Sequence, residues 1–169
     1  MTGGETVVVT GATGGVGGFA VELAASRGFS VIAVVHEEDK DEALTLGAVA
    51  AISARVEELG SRVREVVPGG ADALLDTASI GAPALGAVCD GGKYVTVTDL
   101  PSPERNIDVF RSGGRMDSEA LTTLADMAST GSLHTPVAKV FGLDEARAAY
   151  RAFGSRGGRG RIVLSFPGP

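Results

Sequence analysis

The sequence predicts an α/β protein, a doubly wound and mainly parallel sheet with helices on both faces, and three observations carry that expectation. A β-branched run, Val7-Val8-Val9, breaks into the glycine turn Gly11-Ala12-Thr13-Gly14-Gly15-Val16-Gly17-Gly18 and opens at once into an apolar helix. Short apolar runs of strand length then alternate with segments of helical periodicity as far as residue 98. The runs are continuous rather than alternating with polar residues, as in strands buried on both faces, and right-handed crossovers join strands of that kind.

Each element follows from a local signal. In the first helix Val16, Phe19, Ala20, Leu23 and Ala24 fall at i, i+3, i+4 spacing and define the face expected against the sheet, with Gly28 as the stop. Residues 31–35 form the second strand and end at His36-Glu37-Glu38-Asp39-Lys40. A short helix over 41–46 stops at Gly47, and 49–52 is the third strand. Residues 54–67 place Val56, Leu59, Val63 and Val66 at helical spacing and stop at Pro68-Gly69-Gly70. The fourth strand is 71–77. Residues 80–89 read as a helix, Asp90-Gly91-Gly92 as its stop, and 93–98 as the fifth strand. After a proline-containing loop, 107–110 is a candidate sixth strand. A helix over 118–129 turns Leu121, Leu124, Ala125 and Met127 inward, and 137–141, 143–153 and 161–166 follow as strand, helix and strand. The last pieces exceed what a minimal dinucleotide-binding sheet needs.

At 169 residues and 44% hydrophobic content the chain is long enough for one domain with a full core, 1–169, with 132–169 as tail elements. A net charge of −6 argues against a nucleic-acid partner, which needs a basic face. Arg62 and Arg64 read as a solvated helix face, and residues 155–161 as a glycine-rich loop. Cys89 is the only cysteine, so no internal disulfide forms, and its place in an apolar helical pattern reads as a buried structural thiol. With His36 and His134 far apart in sequence, no metal-ligand set is recognisable. No apolar run reaches about 18 residues and the N-terminus lacks a leader pattern, so a soluble cytoplasmic protein with no membrane partner is expected.

The glycine turn carries the chemistry. A helix N-terminus offers backbone N–H groups to an anion. Within the turn Gly11 or Ala12 makes the tight bend, Gly14 lets backbone approach a pyrophosphate, and Gly17 lets helix and strand pack closely. Ala12, Thr13, Gly14, Gly15, Val16 and Gly17 are therefore the candidate cradle of a dinucleotide. About 20 residues on, the end of the second strand meets the adenosine ribose in such folds. There His36 and Lys40 suit a 2′-phosphate, whereas Glu37, Glu38 and Asp39 repel it, hold a free ribose, or simply charge the first turn of the next helix. The balance tilts towards NADP over NAD. The end of the fourth strand, Thr77-Ala78-Ser79, is expected on the same sheet edge.

The glycine turn, the Leu46-Gly47-Ala48 step, Ala71-Asp72-Ala73-Leu74-Leu75-Asp76, the 133–143 stretch and Gly160-Arg161-Ile162-Val163-Leu164 together resemble the C-terminal half of the medium-chain dehydrogenase/reductase superfamily. The branch most similar is that of the zinc-independent quinone oxidoreductases, whose loop likewise opens with alanine. The resemblance covers nearly the whole chain and implies a Rossmann-like domain that binds NAD(P)H at Ala12 to Gly17, with His36 and Lys40 near the adenosine end and Thr77 and Thr98 along the cleft. It also implies an N-terminal catalytic domain that this chain lacks and against which residues 132–169 pack. The chain is then a shortened form, a stand-alone domain with a separate catalytic-domain partner, or a copy with a new role. The last two imply an apolar patch covered by a partner or by homo-oligomerisation. The short-chain dehydrogenases compete through Thr10, Gly11, Gly14 and Gly17, but their Tyr-Lys pair is missing: Thr98 lies four residues after Tyr94, and Gly154 four after Tyr150.

Three functions follow as expectations. The first is hydride transfer from a nicotinamide cofactor to a small-molecule carbonyl, quinone or enone. The second is a non-catalytic nucleotide-binding module or the subunit of a split reductase. The third is a pathway enzyme that reuses the fold for a non-redox step such as a cyclisation. No catalytic residue is assigned; Tyr94, Thr98, Ser79 and His134 are proton-donor candidates by type alone.

Overall fold

In the computed structural model residues 4–53, 55–114, 117–154 and 160–166 are described, and the chain divides into two units, Met1–Ser118 and Glu119–Pro169. The first unit is built on a six-stranded sheet from β1 (Thr6–Thr10), β2 (Ser30–Val34), β3 (Ala50–Ile52), β4 (Ala71–Asp76), β5 (Val88–Thr96) and β6 (Asp108–Arg111). The order is β3-β2-β1-β4-β5-β6 and every pairing is parallel. The residues expected to form a marginal sixth strand therefore close the sheet.

Register decides which side chain covers which face. Val8 pairs with Ile32 and Leu74, and Leu74 with Tyr94; these four pack into one buried cluster with Leu59, Val63 and Leu85. One residue on, Val9 pairs with Ala33 and Leu75 and faces the other way, into a cluster with Val21, Ala43 and Leu46. Leu59 and Val63 lie on α3 (Leu59–Val66), Val21 on α1 (Gly17–Ser26) and Ala43 on α2 (Lys40–Thr45). Helices thus cover both faces, which is why the strands read as unbroken apolar runs.

Two expectations about helices are corrected. The buried face of α1 is Gly17, Gly18, Val21 and Glu22, with Ala20, Ala24 and Ala25 against the sheet. Val16 is 54% exposed, and Phe19 and Leu23 are only half-buried. Glycine and alanine around the buried Val21 let the helix sit close to the strands. Residues 80–89 are not an α-helix: a six-residue 3-10 segment, Ala82–Ala87, leads straight into β5. Its carbonyls are satisfied from outside. Arg64 donates to Gly86 O and Val88 O, both at 3.1 Å, and Arg105 to Leu85 O at 2.5 Å and Val88 O at 3.0 Å. Gly60 and Gly86 bring α3 and this crossover into backbone contact, since a Cβ on Gly60 would lie 2.9 Å from the Gly86 carbonyl carbon. Cys89 consequently lies half-buried on a strand rather than buried in a helix, and Asp90, Gly91 and Gly92 sit inside β5 beside a register shift.

The second unit contains α4 (Ser118–Ser129), a parallel pair of β7 (Val137–Gly142) and β8 (Arg161–Ser165), and α5 (Ala146–Phe153). No residue of α4 is buried, and Leu121, expected inward, is 65% exposed. Leu133, Phe141 and Ala149 are the buried apolar residues described in this unit, while Tyr150 and Phe153 on α5 are 81% and 76% exposed. Of the glycine-rich loop expected over 155–161, residues 155–159 lie outside the described residues, and Arg161 opens β8.

Candidate functional site

The sheet order places the topological switch between β1 and β4, and open α/β sheets bind ligands at the carboxyl edge of that point. Register aligns the edge: Thr10 lies beside Val34 and Asp76, Asp76 beside Thr96, and Thr96 beside Arg111. Each segment named as a candidate on unit 1 leaves the sheet from this row.

The glycine turn follows β1. Gly11, with φ of +60°, makes the bend. Ala12 is fully buried and its N–H donates to Val34 O at 3.3 Å, so its side chain supports the turn from below. Gly14 N–H donates to Gly11 O and Gly18 N–H to Gly14 O, both at 2.9 Å, which winds the turn into α1. Gly14, Gly15 and Val16 are exposed and Thr13 half-buried. A Cβ on Gly17 would run into the Gly11 carbonyl and come within 2.9 Å of Thr77 Oγ1. Of the first amides of α1, those of Gly18 and Ala20 donate back to Gly14 O and Val16 O, which leaves the Gly17 N–H to an anion at the turn.

Sequence reading missed the group that fixes this edge. Asp76 ends β4 and is fully buried. Its Oδ1 accepts from the Thr10 hydroxyl at 2.7 Å and the Ala78 N–H at 3.2 Å. Its Oδ2 accepts from the Tyr94 hydroxyl at 2.7 Å and the Gly81 N–H at 2.9 Å. Burial alone would raise the carboxyl pKa, but the hydrogen bonds from Gly81, Tyr94 and Thr10 outweigh it and hold it below the usual 3.8. The only sequence signal is a carboxylate at the end of an apolar strand.

Tyr94 is the counterpart. Burial first, then the Asp76 carboxylate, pushes its phenol well above its ordinary value near 10. A hydroxyl buried and donated in this way is not presented at the edge as a proton donor. The protonated phenol is favoured in the fold, so the stability it contributes is complete below about pH 10 and is lost as the pH rises above that. Tyr94→Phe removes a charge-assisted bond worth about 2 kcal/mol. We expect a lower unfolding temperature at pH 7 and a smaller gap from the parent above pH 10, both read by thermal unfolding; a gap unchanged at alkaline pH would refute the assignment.

The remaining candidates separate. Thr77 is half-buried, its hydroxyl donating to Thr10 O at 2.5 Å. Ser79 is exposed at the edge with φ of +59°, between Ala78 and Gly81, the two residues whose N–H groups Asp76 holds. Thr98 is exposed just beyond β5, its N–H on Thr96 Oγ1 at 3.0 Å. His36 is exposed two residues beyond β2, and Lys40 Nζ is paired with Glu37 Oε1 at 2.8 Å. His134 lies on the second unit, exposed.

A glycine turn over the switch point of a 3-2-1-4-5-6 parallel sheet defines a dinucleotide-binding domain. The chain belongs to the zinc-binding dehydrogenase family, whose model matches residues 46–164, and corresponds to the cofactor-binding half of a medium-chain dehydrogenase/reductase. It is 30% identical over 186 residues to a 2-haloacrylate reductase of Burkholderia sp, a match covering 95% of this chain and 55% of that protein. It is 27% identical over 180 residues to alcohol dehydrogenase 2 of Caenorhabditis elegans, covering 96% and 50%. Among solved structures AibC superposes with a TM-score of 0.88 at 27% identity, over 99% of this chain and 54% of that one. The chain spans about half the length of the curated relatives it matches. Among the described residues no group of three or more His, Cys, Asp or Glu is placed to hold a metal ion. No described helix is long and apolar enough to cross a membrane.

Proposed function

We propose that this chain is the NAD(P)-binding half of a reductase that transfers hydride to a small carbonyl, quinone or enone. The observation that carries the reading is the glycine turn, shaped by Gly11 and Gly17 at the switch point. When bound, the nicotinamide supplies the hydride. The chain's own residues bind and orient it: Gly14 lets the backbone approach the pyrophosphate, Gly15, Val16 and Gly17 offer backbone to it, Thr13 flanks it, and Ala12 supports the turn. Ser79 and Thr98 border the crevice further along the edge. His36 and Lys40 meet the adenosine end and favour NADP over NAD, with Glu37 drawing on the charge of Lys40.

The half-length match supports a companion reading in which substrate contacts come from another segment or a separate catalytic-domain partner. The exposed Tyr150 and Phe153 support packing of the 132–169 elements on that domain or on a second copy of the chain. Titration of the purified chain with NADPH and NADH, followed by nicotinamide fluorescence or calorimetry, tests the proposal. We expect micromolar binding with NADPH the tighter, and Glu37→Gln to tighten NADPH without moving NADH. No binding at millimolar cofactor would refute it.

A further inference from the structure

We propose that Thr77 is a positioning residue that sets the glycine turn on the sheet and acts on the bound dinucleotide through that turn, with Asp76 as its anchor. The inference rests on the cofactor reading above and deepens it. The contacts form a closed circuit between the ends of β1 and β4. Thr77 Oγ1 donates to Thr10 O at 2.5 Å while Thr77 N–H donates to Thr10 Oγ1 at 3.1 Å. Thr10 Oγ1 in turn donates to Asp76 Oδ1 at 2.7 Å and accepts the Ala78 N–H at 3.2 Å. The Thr10 hydroxyl is fully engaged within the circuit, and the Thr77 hydroxyl proton is spent on backbone rather than offered to a ligand.

Its position gives the circuit a consequence. Thr77 Oγ1 occupies the space that a side chain on Gly17 or Gly11 would need, 2.9 and 3.2 Å from the Cβ each would carry. The hydroxyl therefore sits against the first residue of α1 and the residue that bends the chain. It holds the carbonyl of Thr10 at the point where β1 becomes the turn. Moving that carbonyl moves Gly11, and with it the Gly14 N–H bonded to Gly11 O. The turn that faces the pyrophosphate, closed by that bond, is then misplaced without any ligand contact being deleted.

The experiment compares the parent chain with Thr77→Val, which keeps the shape and loses the hydroxyl, and Thr77→Ser, which keeps the hydroxyl. Thr77→Ala replaces the valine variant if that one does not fold. The readouts are dissociation constants for NADPH and for NADH, and hydrogen exchange of the Gly14 and Gly18 amides in the unliganded chain. For loss of one hydrogen bond that shapes the site, Thr77→Val should weaken both cofactors by roughly three- to tenfold and speed exchange at Gly14 and Gly18. Thr77→Ser should restore both to within about twofold. A valine variant with affinity and exchange like the parent's, or a serine variant as impaired as valine, would overturn the inference. If the parent binds neither cofactor, the proposed function fails, and exchange at Gly14 and Gly18 alone decides whether Thr77 sets the turn.

Discussion

Gly17→Ala will lower stability by about 3 kcal/mol and weaken NADPH binding by more than about tenfold, the largest change expected from adding a single methyl to this chain. The added Cβ meets the Gly11 carbonyl, which is backbone and cannot rotate away, and lies 2.9 Å from Thr77 Oγ1. Relief requires α1 to lift from the end of β1, which opens the gap that Gly17, Gly18 and Val21 close against the sheet. Gly15→Ala is the control, since Gly15 lies in the same turn and is exposed. Thermal unfolding and cofactor titration on both variants check the prediction. Equal losses in the two would show that any substitution in the turn is harmful and that the close approach at Gly17 has no special weight.

The second large effect belongs to Asp76→Asn. The carboxylate accepts two donors on each oxygen. An amide has one accepting oxygen, so two donors meet an NH2 group. The hydroxyl of Thr10 or Tyr94 can turn round, but the backbone N–H of Ala78 or Gly81 cannot, and it is left without an acceptor. With the loss of charge-assisted bonds this costs about 3 kcal/mol at pH 7. The acid limb carries the specific signature. Because the folded-state pKa of Asp76 lies below its unfolded value, the stability it contributes is complete above about pH 4 and is lost as the pH falls through the folded value. The asparagine variant has no such contribution to lose. The difference in unfolding temperature between parent and variant should therefore shrink from pH 7 to pH 3; a constant difference would assign the effect to packing and not to the charge.

Much of this was legible in the sequence because strong local signals agreed with the tertiary outcome. Six strands, the glycine turn and the carboxyl edge follow from apolar runs, glycine stops and strand-helix alternation. The misreadings share one cause, that the deciding partner is remote in sequence. Phe19 and Leu23 fit a helical period, yet glycine, alanine and Val21 form the contact face, because close approach to the sheet outweighs side-chain size. Residues 82–87 looked helical because their carbonyl partners, Arg64 and Arg105, stand about 20 residues away on either side. Asp76 read as the polar end of a strand because Thr10 lies 66 residues before it and Tyr94 18 after. Tyr94 itself invited a catalytic role by type, and only its register beside Leu74 shows that it is interior.

The two arginines that bond the 82–88 crossover bear on how this surface can be redesigned. Arg64 and Arg105 count as ordinary surface charge in any composition-based scheme, and solubility engineering would exchange them freely for lysine. Here each guanidinium is a fork that spans two carbonyls, and Arg105 also reaches Asp90 Oδ1 at 2.8 Å. A lysine ammonium is a single point on a flexible stem and lacks that planar fork. The crossover thus borrows its hydrogen bonding from side chains that a sequence profile would file as decoration, and in recombining this domain with its relatives both arginines must travel with the segment they hold.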